Sequence, residues 1–508
     1  MLNSVRSSVK NSVVYGIGNI AVKLVGFLLI PLYTDPKFFS IDEFGIIGLL
    51  DISGQVLIAA LASSLPQSLT RWYWDKEYVE NQKSIFFMTL LMQVGIAALF
   101  CLLLLPLSGQ LSGMLFGRTD WHKAINLVII SSALQAVNNI INTLIRLQSK
   151  SVLFTVVNFF KLGVVLVMTV FMIVGKKMGV EGIYLAQVIG NLLFIVVLLG
   201  YTVKNCKVSV NFQLIKTMAL FGFPLVLANV SGVAVNVIDR YSLNSLKTID
   251  ALKYVAIYTL AVKVSSVLKL VIVDSIKMAI SPLMIRKIDA EDNQRFYSKV
   301  LLYSSFVLMM GIIAVSLFSL ELIKVMTKSN QYWEAYFVIP LLCLSVYFVN
   351  LKDVITWGLF ISKKTKIIGT IVLFAGIMTL GLNLLLVPLL GMTGAALSTL
   401  FAQVLYWYLI HYFSQKEYYI PYEYRKIFIM MLVGAALSCA GLLMNDLHII
   451  LRLVLKTGLT LSFPFILYFF NFYEPVELGS IKAIAKKWSA LKKFRENVRS
   501  LKSIQDEL

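Results

Sequence analysis

The hydrophobic positions fall in long runs that short polar segments separate. About 20 consecutive apolar residues are needed for one helical crossing of a bilayer, and dividing the chain by that length predicts about 14 spans. The predicted limits are 13–33, 44–66, 84–107, 125–147, 153–174, 180–201, 217–238, 253–280, 300–320, 337–360, 366–387, 392–413, 427–444 and 449–471. The pattern therefore predicts an all-α, polytopic membrane protein.

The polar segments between the runs alternate in lysine and arginine content. With a cytoplasmic N-terminus, the inner segments hold clusters such as Arg286–Lys287 and Lys363–Lys364, whereas the outer loops hold far fewer basic residues. The positive-inside rule then places both termini in the cytoplasm, which requires an even number of spans. The loops are too short for a soluble catalytic domain, so we expect a protein that is not an enzyme.

The two halves of the chain resemble each other at a nearly constant offset, between 211 and 214 residues. An offset that contains six spans orients both halves the same way, which is a parallel repeat around a central cavity. The matching segments are 44–52 with 255–263, 147–151 with 361–365, and 179–193 with 391–405. The predicted divisions are an N-lobe (1–206, helices 1–6), a C-lobe (207–415, helices 7–12), helices 13 and 14 (416–474) and a basic tail (475–508).

Composition supports the membrane class. Of the 508 residues, 58% are hydrophobic and only 14% are charged, and a soluble domain could not cover that much apolar surface. The net charge of +20 fits basic cytoplasmic loops and anionic membrane lipids better than nucleic acid, which we do not expect as a partner. In the tail, Ile481, Ile484, Trp488 and Leu491 follow steps of three and four. This spacing predicts an amphipathic helix on the inner leaflet; the alternative is a solvated basic tail.

Cysteine and histidine residues are too few and too scattered for a metal site. Cys101, Cys206, Cys343 and Cys439 lie far apart, and the chain has three histidines. We therefore predict no disulfide framework, no metal and no cofactor.

Charged residues inside the predicted spans form the candidate site. Lys23 and Lys263 fall near the middle of their spans, where a charge usually faces a cavity or a partner. The surplus of lysine predicts an anionic ligand such as phosphate or pyrophosphate. The candidate ligand-binding residues are Lys23, Lys263, Lys161 and Lys269, and the candidate charge-partner or coupling residues are Asp51 and Asp353.

Several of these charges also have purely structural explanations. Lys161 could snorkel to the inner surface. Asp51 could neutralise Lys23 or Lys263 as an internal ion pair. Lys277 is expected to pair with Asp274 one turn earlier, and Lys352 is not expected to face its neighbour Asp353.

Three residues are candidate hinges. Pro31 is expected to end helix 1, and Gly222 and Pro224 lie within helix 7. Proline removes a backbone hydrogen bond and permits a bend. A static kink at each position is the alternative.

The chain resembles bacterial polysaccharide repeat-unit flippases of the multidrug/oligosaccharidyl-lipid/polysaccharide (MOP) exporter superfamily. The resemblance lies in "SVKNSVVYGIGNIAVKLVGFLLIPLYT" followed by "DEFGIIGLLD", in "FGFPLVLANVSGVAVNVIDRY" followed by "YVAIYTLAVKV", and in "LNLLLVPLLGMTGAALSTL". It implies two six-helix lobes and alternating access in the bacterial cytoplasmic membrane. The implied substrate is an undecaprenyl-pyrophosphate-linked oligosaccharide, moved from the inner to the outer leaflet during polysaccharide biosynthesis, with Lys23 and Lys263 lining the cavity. A polysaccharide polymerase and chain-length machinery are the implied partners.

Three alternatives remain open from the sequence. A peptidoglycan lipid-precursor flippase would use the same chemistry on another head group. A drug or cation antiporter of the multidrug and toxin extrusion (MATE) type would need a carboxylate-centred site, and helix 1 has no acidic residue there. A membrane glycosyltransferase or polymerase would need a long catalytic loop, which the outer loops do not offer.

Overall fold

A computed structural model describes residues 26–62, 64–75, 78–246, 250–286, 288, 292–475 and 478–479. Helices account for nearly all of the secondary structure in these ranges, and the all-α class is confirmed. Twelve of the described helices are long and apolar enough to cross a membrane, against the 14 spans predicted. The protein is thus a multi-pass membrane protein.

The first half of the described chain consists of helices joined by short turns. A 3-10 turn, Val79–Asn81, precedes the fourth helix, and the π-helical segment Phe171–Gly175 continues the seventh. The helices are α1 (Ile30–Tyr33), α2 (Ile41–Leu61), α3 (Leu65–Tyr73), α4 (Gln82–Leu104), α5 (Ser108–Phe116), α6 (His122–Leu147), α7 (Ser151–Val170), α8 (Gly179–Val197) and α9 (Leu199–Lys204).

The second half has the same construction. A π-helical segment, Lys269–Val273, joins the twelfth helix to the thirteenth, and a 3-10 helix, Asn330–Phe337, precedes the sixteenth. The helices are α10 (Phe212–Ala234), α11 (Ile238–Asn244), α12 (Ala251–Leu268), α13 (Asp274–Arg286), α14 (Asn293–Leu317), α15 (Ser319–Met326), α16 (Ile339–Ile355), α17 (Trp357–Ile361) and α18 (Thr365–Glu417).

The difference in span count has two sources. The predicted first span, 13–33, lies mostly outside the described residues. Two further predicted spans, 366–387 and 392–413, fall in the 53-residue range α18. This range consists of two helices that meet at Gly391, whose φ of 56° and ψ of −129° are not helical. Residues other than glycine rarely adopt such a φ, so glycine allows the chain to reverse between the two spans with almost no loop.

Two compact units divide the chain, Met1–Tyr422 and Glu423–Leu508. The second unit contains α19 (Tyr424–Leu442) and α20 (Ile449–Phe469), which pack against each other. The predicted amphipathic tail lies almost entirely outside the described residues. The division of the first unit into lobes at residue 206 stays a prediction.

Polar residues and prolines set the helix starts around the centre of the fold. Ser40 and Glu43 form a capping box at the start of α2: the Ser40 amide donates to Glu43 Oε2 (2.7 Å) and the Glu43 amide donates to Ser40 Oγ (3.2 Å). Pro31 stands in the first turn of the short α1, where a missing N–H costs little. Most of the predicted first span lies outside the described residues, so the end of that span at Pro31 stays a prediction.

Helices α2 and α12, which the internal repeat relates, pack directly against each other near their N-terminal ends. A Cβ atom built on Gly45 would overlap the carbonyl oxygen of Leu252, and one on Gly48 would lie 2.5 Å from Thr259 Oγ1. Only glycine permits this approach of the two backbones, as in other close helix contacts within membranes. The contact holds the two halves together within about three turns before Asp51 and Lys263.

Candidate functional site

Lys263 lies at the centre of the described first unit, twelve residues into α12 and so roughly 18 Å along the helix axis. Its Nζ is 3.6 Å from Asp51 Oδ2. It also lies 5.8 Å from the centre of the Tyr33 ring and 5.4 Å from that of Phe44, within cation–π range. The side chains of Lys263 and Asp51 stay 25% and 31% exposed, so this pair borders open space.

Tyr184 holds the carboxylate of this pair. Its hydroxyl donates to Asp51 Oδ1 at 3.1 Å. The hydroxyl oxygen of Tyr184 also lies 3.1 Å from the carbonyl oxygen of Ile47. Tyr184 is fully buried on α8, so its ring position is defined by packing. Asp51 is therefore fixed from one side by α8 and faces Lys263 on the other.

Two chambers meet at this pair. The N-half chamber, of about 910 Å³, is lined mainly by α2, α6, α7 and α8. The C-half chamber, of about 690 Å³, is lined mainly by α10, α12, α16 and α18 and the π-helical segment after α12. Residues lining both are Gly26, Asp51, Gln55 and Lys263. Both volumes fall in the range of sites that enclose small ligands.

Lys161 lies in the wall of the N-half chamber, ten residues into α7. Its Nζ donates to Gln135 Oε1 (2.5 Å) and lies 5.6 Å from the centre of the Phe194 ring. This amide contact ties the ammonium to α6, so the structure does not support the alternative that Lys161 extends to the inner surface. A neutral amide leaves its charge uncompensated.

The C-half chamber carries charges of both signs. Lys269 and Asp274 line it at the two ends of the π-helical segment, a distortion that often marks functional positions. Asp239 and Arg240 also line it and are almost fully buried. Arg240 Nε lies 3.5 Å from Asp239 Oδ1. Both residues lie just beyond the predicted span 217–238, so neither was included in the candidate site predicted from the sequence. The signal was a charged pair, "DR", at the end of an apolar run.

Asp353 belongs to a separate cluster, and the prediction that Lys352 does not face it is wrong. Lys277 Nζ lies 3.2 Å from Asp353 Oδ2, a partner on another helix that the sequence did not indicate. The predicted pair of Lys277 with Asp274 stays a prediction. Lys352 Nζ lies 2.7 Å from Asp353 Oδ1, because a long side chain can fold back to an adjacent residue. Lys352 also covers the Tyr406 ring at 4.6 Å.

The remaining predicted site residues are placed as follows. Lys23 lies outside the described residues. Gly222 is buried and Pro224 exposed inside α10, which runs through both as one helix. Nothing in the geometry tests a hinge role for either residue.

The second unit holds a buried cation that sequence reasoning missed. Lys456, seven residues into α20, has no exposed surface, and its Nζ donates to Asn445 Oδ1 at 2.8 Å. Arg452, one turn earlier, donates to the Asn445 carbonyl at 2.6 Å. One loop residue therefore binds both cations near the start of α20. The basic pair at a spacing of four in an apolar run was the available signal.

Comparison with solved structures identifies the fold. The structure "Lipid II flippase MurJ, inward closed conformation" superposes with a TM-score of 0.72 at 12% identity, covering 90% of this chain and 99% of that one. An inward-facing multidrug resistance MATE transporter of the MOP superfamily gives 0.63 at 12% identity, covering 81% and 99%. No protein-family model and no curated protein matches the sequence.

A third similar structure is a MOP superfamily transporter from Pyrococcus furiosus. It gives a TM-score of 0.60 at 14% identity and covers 81% of this chain and 95% of that one. Its description reports a binding pocket of reverse polarity. Likeness at these identities concerns the fold, and this chain has the fold of the MOP transporters.

Proposed function

We propose that the protein is a flippase for polyprenyl-pyrophosphate-linked oligosaccharides, acting in the bacterial cytoplasmic membrane with both termini in the cytoplasm. The observation that supports this best is Lys263, an ammonium at the junction of two chambers that a single carboxylate neutralises at 3.6 Å. A good charge-assisted N–H···O bond is about 2.7–2.9 Å long. The pair is therefore loose enough for a stronger anion to compete for Lys263.

Pyrophosphate suits this position because it offers more negative charge and more acceptor oxygens than one carboxylate. Lys161 in one chamber and Lys269 in the other add positive charge on both sides of the pair. The head group would displace Asp51 from Lys263 as it enters, and Asp51 would displace the head group as it leaves. Lys23 is assigned to the same anion site on its sequence position alone.

The test is a strain that lacks the gene, complemented with single variants. Lys263→Ala and Lys161→Ala should abolish surface polysaccharide and cause lipid-linked units to accumulate at the inner face. The matched control is Lys324→Ala: this lysine covers the Trp333 ring at 4.3 Å outside both chambers, so its loss should leave polysaccharide unchanged. Normal polysaccharide with altered drug tolerance would contradict the proposal and favour an exporter.

A second candidate is a flippase for the peptidoglycan lipid precursor. The MurJ structure supports it, because its TM-score of 0.72 exceeds the values of the two MOP transporters compared above. Cells depleted of their own MurJ decide between the two. Restored growth on expression of this chain would support the peptidoglycan precursor, whereas lysis would support the polysaccharide unit. For the latter, a polymerase and chain-length machinery are the proposed partners.

A further inference from the structure

Carboxamide side chains are concentrated in the N-half chamber, and the proposed anion site gives a role only to Gln135, which holds Lys161. Gln135, Asn139 and Asn142 follow steps of four and three on α6, so they share one face of that helix. Asn158 on α7 and Gln187 on α8 line the same chamber. All five are half-buried. We call these five residues the carboxamide wall.

Some amides in this region have a structural role. Asn138 Nδ2 donates to Asn191 Oδ1 (3.0 Å), and Asn191 Nδ2 donates to Ser131 Oγ (3.1 Å), which joins α6 to α8 in a buried network. Asn142 and Asn158 exchange hydrogen bonds of 3.4 and 3.0 Å, which joins α6 to α7. Such bonds commonly hold helices together in membranes.

Other amides keep unused capacity. Asn139 Oδ1 accepts from Gln135 Nε2 at 3.0 Å, and Gln187 Oε1 has a long contact of 3.5 Å with Ser131 Oγ. Across the described ranges, the side-chain nitrogens Asn139 Nδ2 and Gln187 Nε2 donate to no side chain and to no backbone group. A carboxamide has two N–H donors and one carbonyl acceptor, so both residues can still bind a ligand that enters the chamber.

The ligand that suits these amide groups is polar and rich in hydroxyls. A carboxamide presents a donor and an acceptor side by side, which matches adjacent hydroxyls on a sugar ring. Both chambers are lined by charged residues. Those of the C-half chamber are Asp239, Arg240, Lys269 and Asp274. In the N-half chamber, Arg146, Lys161 and the Asp51–Lys263 pair lie beside the carboxamides.

We propose that the N-half chamber is a saccharide subsite, in which Asn139 and Gln187 hydrogen-bond the hydroxyls of sugar rings next to the pyrophosphate. This inference rests on the proposed flippase function and names the part of the head group that each region binds. The pyrophosphate lies at Lys263, and the first sugars lie against the carboxamide wall. The carboxamide wall therefore selects sugars that present adjacent hydroxyls.

The test compares two lipid probes on the full-length protein in nanodiscs. One is a short-chain polyprenyl pyrophosphate, and the other is the same lipid bearing one neutral N-acetylhexosamine. The variants are Asn139→Leu and Gln187→Leu. The matched control is Gln403→Leu, because Gln403 is a carboxamide of the C-half chamber. Dissociation constants are measured by thermophoresis, and an unchanged melting temperature in each variant shows that it folds.

The wild type and Gln403→Leu should bind the sugar-bearing probe more tightly than the bare one. Each wall variant should lose about tenfold of that advantage, as expected for one hydrogen bond, and should keep its affinity for the bare probe. An unchanged advantage in both wall variants would overturn the saccharide subsite. The proposed function is tested separately: if Lys263→Ala leaves binding of the bare probe unchanged, the anion site fails, whatever the sugar dependence shows.

Discussion

Asp51 on α2 and Lys263 on α12 occupy nearly equivalent positions in the two repeats, and their charged atoms meet 3.6 Å apart. The two helices touch through Gly45 and Gly48 just before this point. The repeat thus joins an acid from one half and a base from the other where the two chambers meet.

Asp51→Asn should strengthen binding of polyprenyl pyrophosphate. The substitution removes the negative charge that competes with the ligand for Lys263. A partly exposed ion pair is worth up to about 1 kcal/mol, which corresponds to about a fivefold lower dissociation constant. The matched control is Tyr184→Phe, which removes the hydrogen bond to Asp51 but leaves its charge, and it should change affinity less than twofold. Weaker binding in Asp51→Asn would contradict competition.

Gly45→Ala should separate the N-terminal ends of α2 and α12. The added methyl group meets the backbone of Leu252, which cannot rotate away as a side chain can. A cysteine at Ser266, which lines the C-half chamber, should then react faster with a membrane-impermeant maleimide from the predicted outer side. The assay needs a background free of the four native cysteines.

Gly54→Ala is the control for this prediction. A Cβ atom there would lie 3.6 Å from Ser132 Oγ, an ordinary contact, so the labelling rate should not change. Equal rates for Gly45→Ala and the parent would show that the contact between α2 and α12 does not close this side.

Asp353→Asn should destabilise the protein. It leaves the ammonium groups of Lys277 and Lys352 without the carboxylate that both contact, at a cost of about 1–3 kcal/mol. The apparent melting temperature in detergent should fall by several degrees. Adding Lys352→Met removes one of the two positive charges and should restore most of the loss. A melting temperature that falls further in the double variant would contradict this explanation.

Gly391→Ala should also lower stability, because an alanine in this backbone conformation costs about 1–3 kcal/mol. Gly381 provides the control in the same helix: it is helical and has open space around its Cβ position. Alanine there should be neutral or stabilise by up to about 1 kcal/mol. Thermal unfolding in detergent compares the two variants. If Gly391→Ala lowers the melting temperature no more than Gly381→Ala does, the backbone conformation at residue 391 does not require glycine.

Much of the helical framework could be predicted from the sequence. The predicted spans 125–147 and 449–471 correspond closely to α6 and α20. Apolar run length is a local property, so one sequence reveals it. The reversal at Gly391 was also visible as the gap between the predicted spans 366–387 and 392–413.

The candidate site was only partly predictable. Lys161, Lys263 and Lys269 were identified because a charge in an apolar run is conspicuous, and all three line a chamber. The carboxamide wall was missed, although its spacing on α6 was readable, since amides do not interrupt a hydrophobic run as strongly as charges do. Lys456 was missed for a different reason, because its run contains another cation nearby.

By itself the sequence determined the helical class, the approximate spans, the internal repeat and the excess of cations within the membrane. Only the tertiary structure decided the partners: Asp51 for Lys263, Asp353 for Lys277 and Gln135 for Lys161. Each of these contacts joins two different helices. Hydropathy depends on neighbours along the chain, whereas a contact between helices depends on where they cross and how each is rotated about its axis.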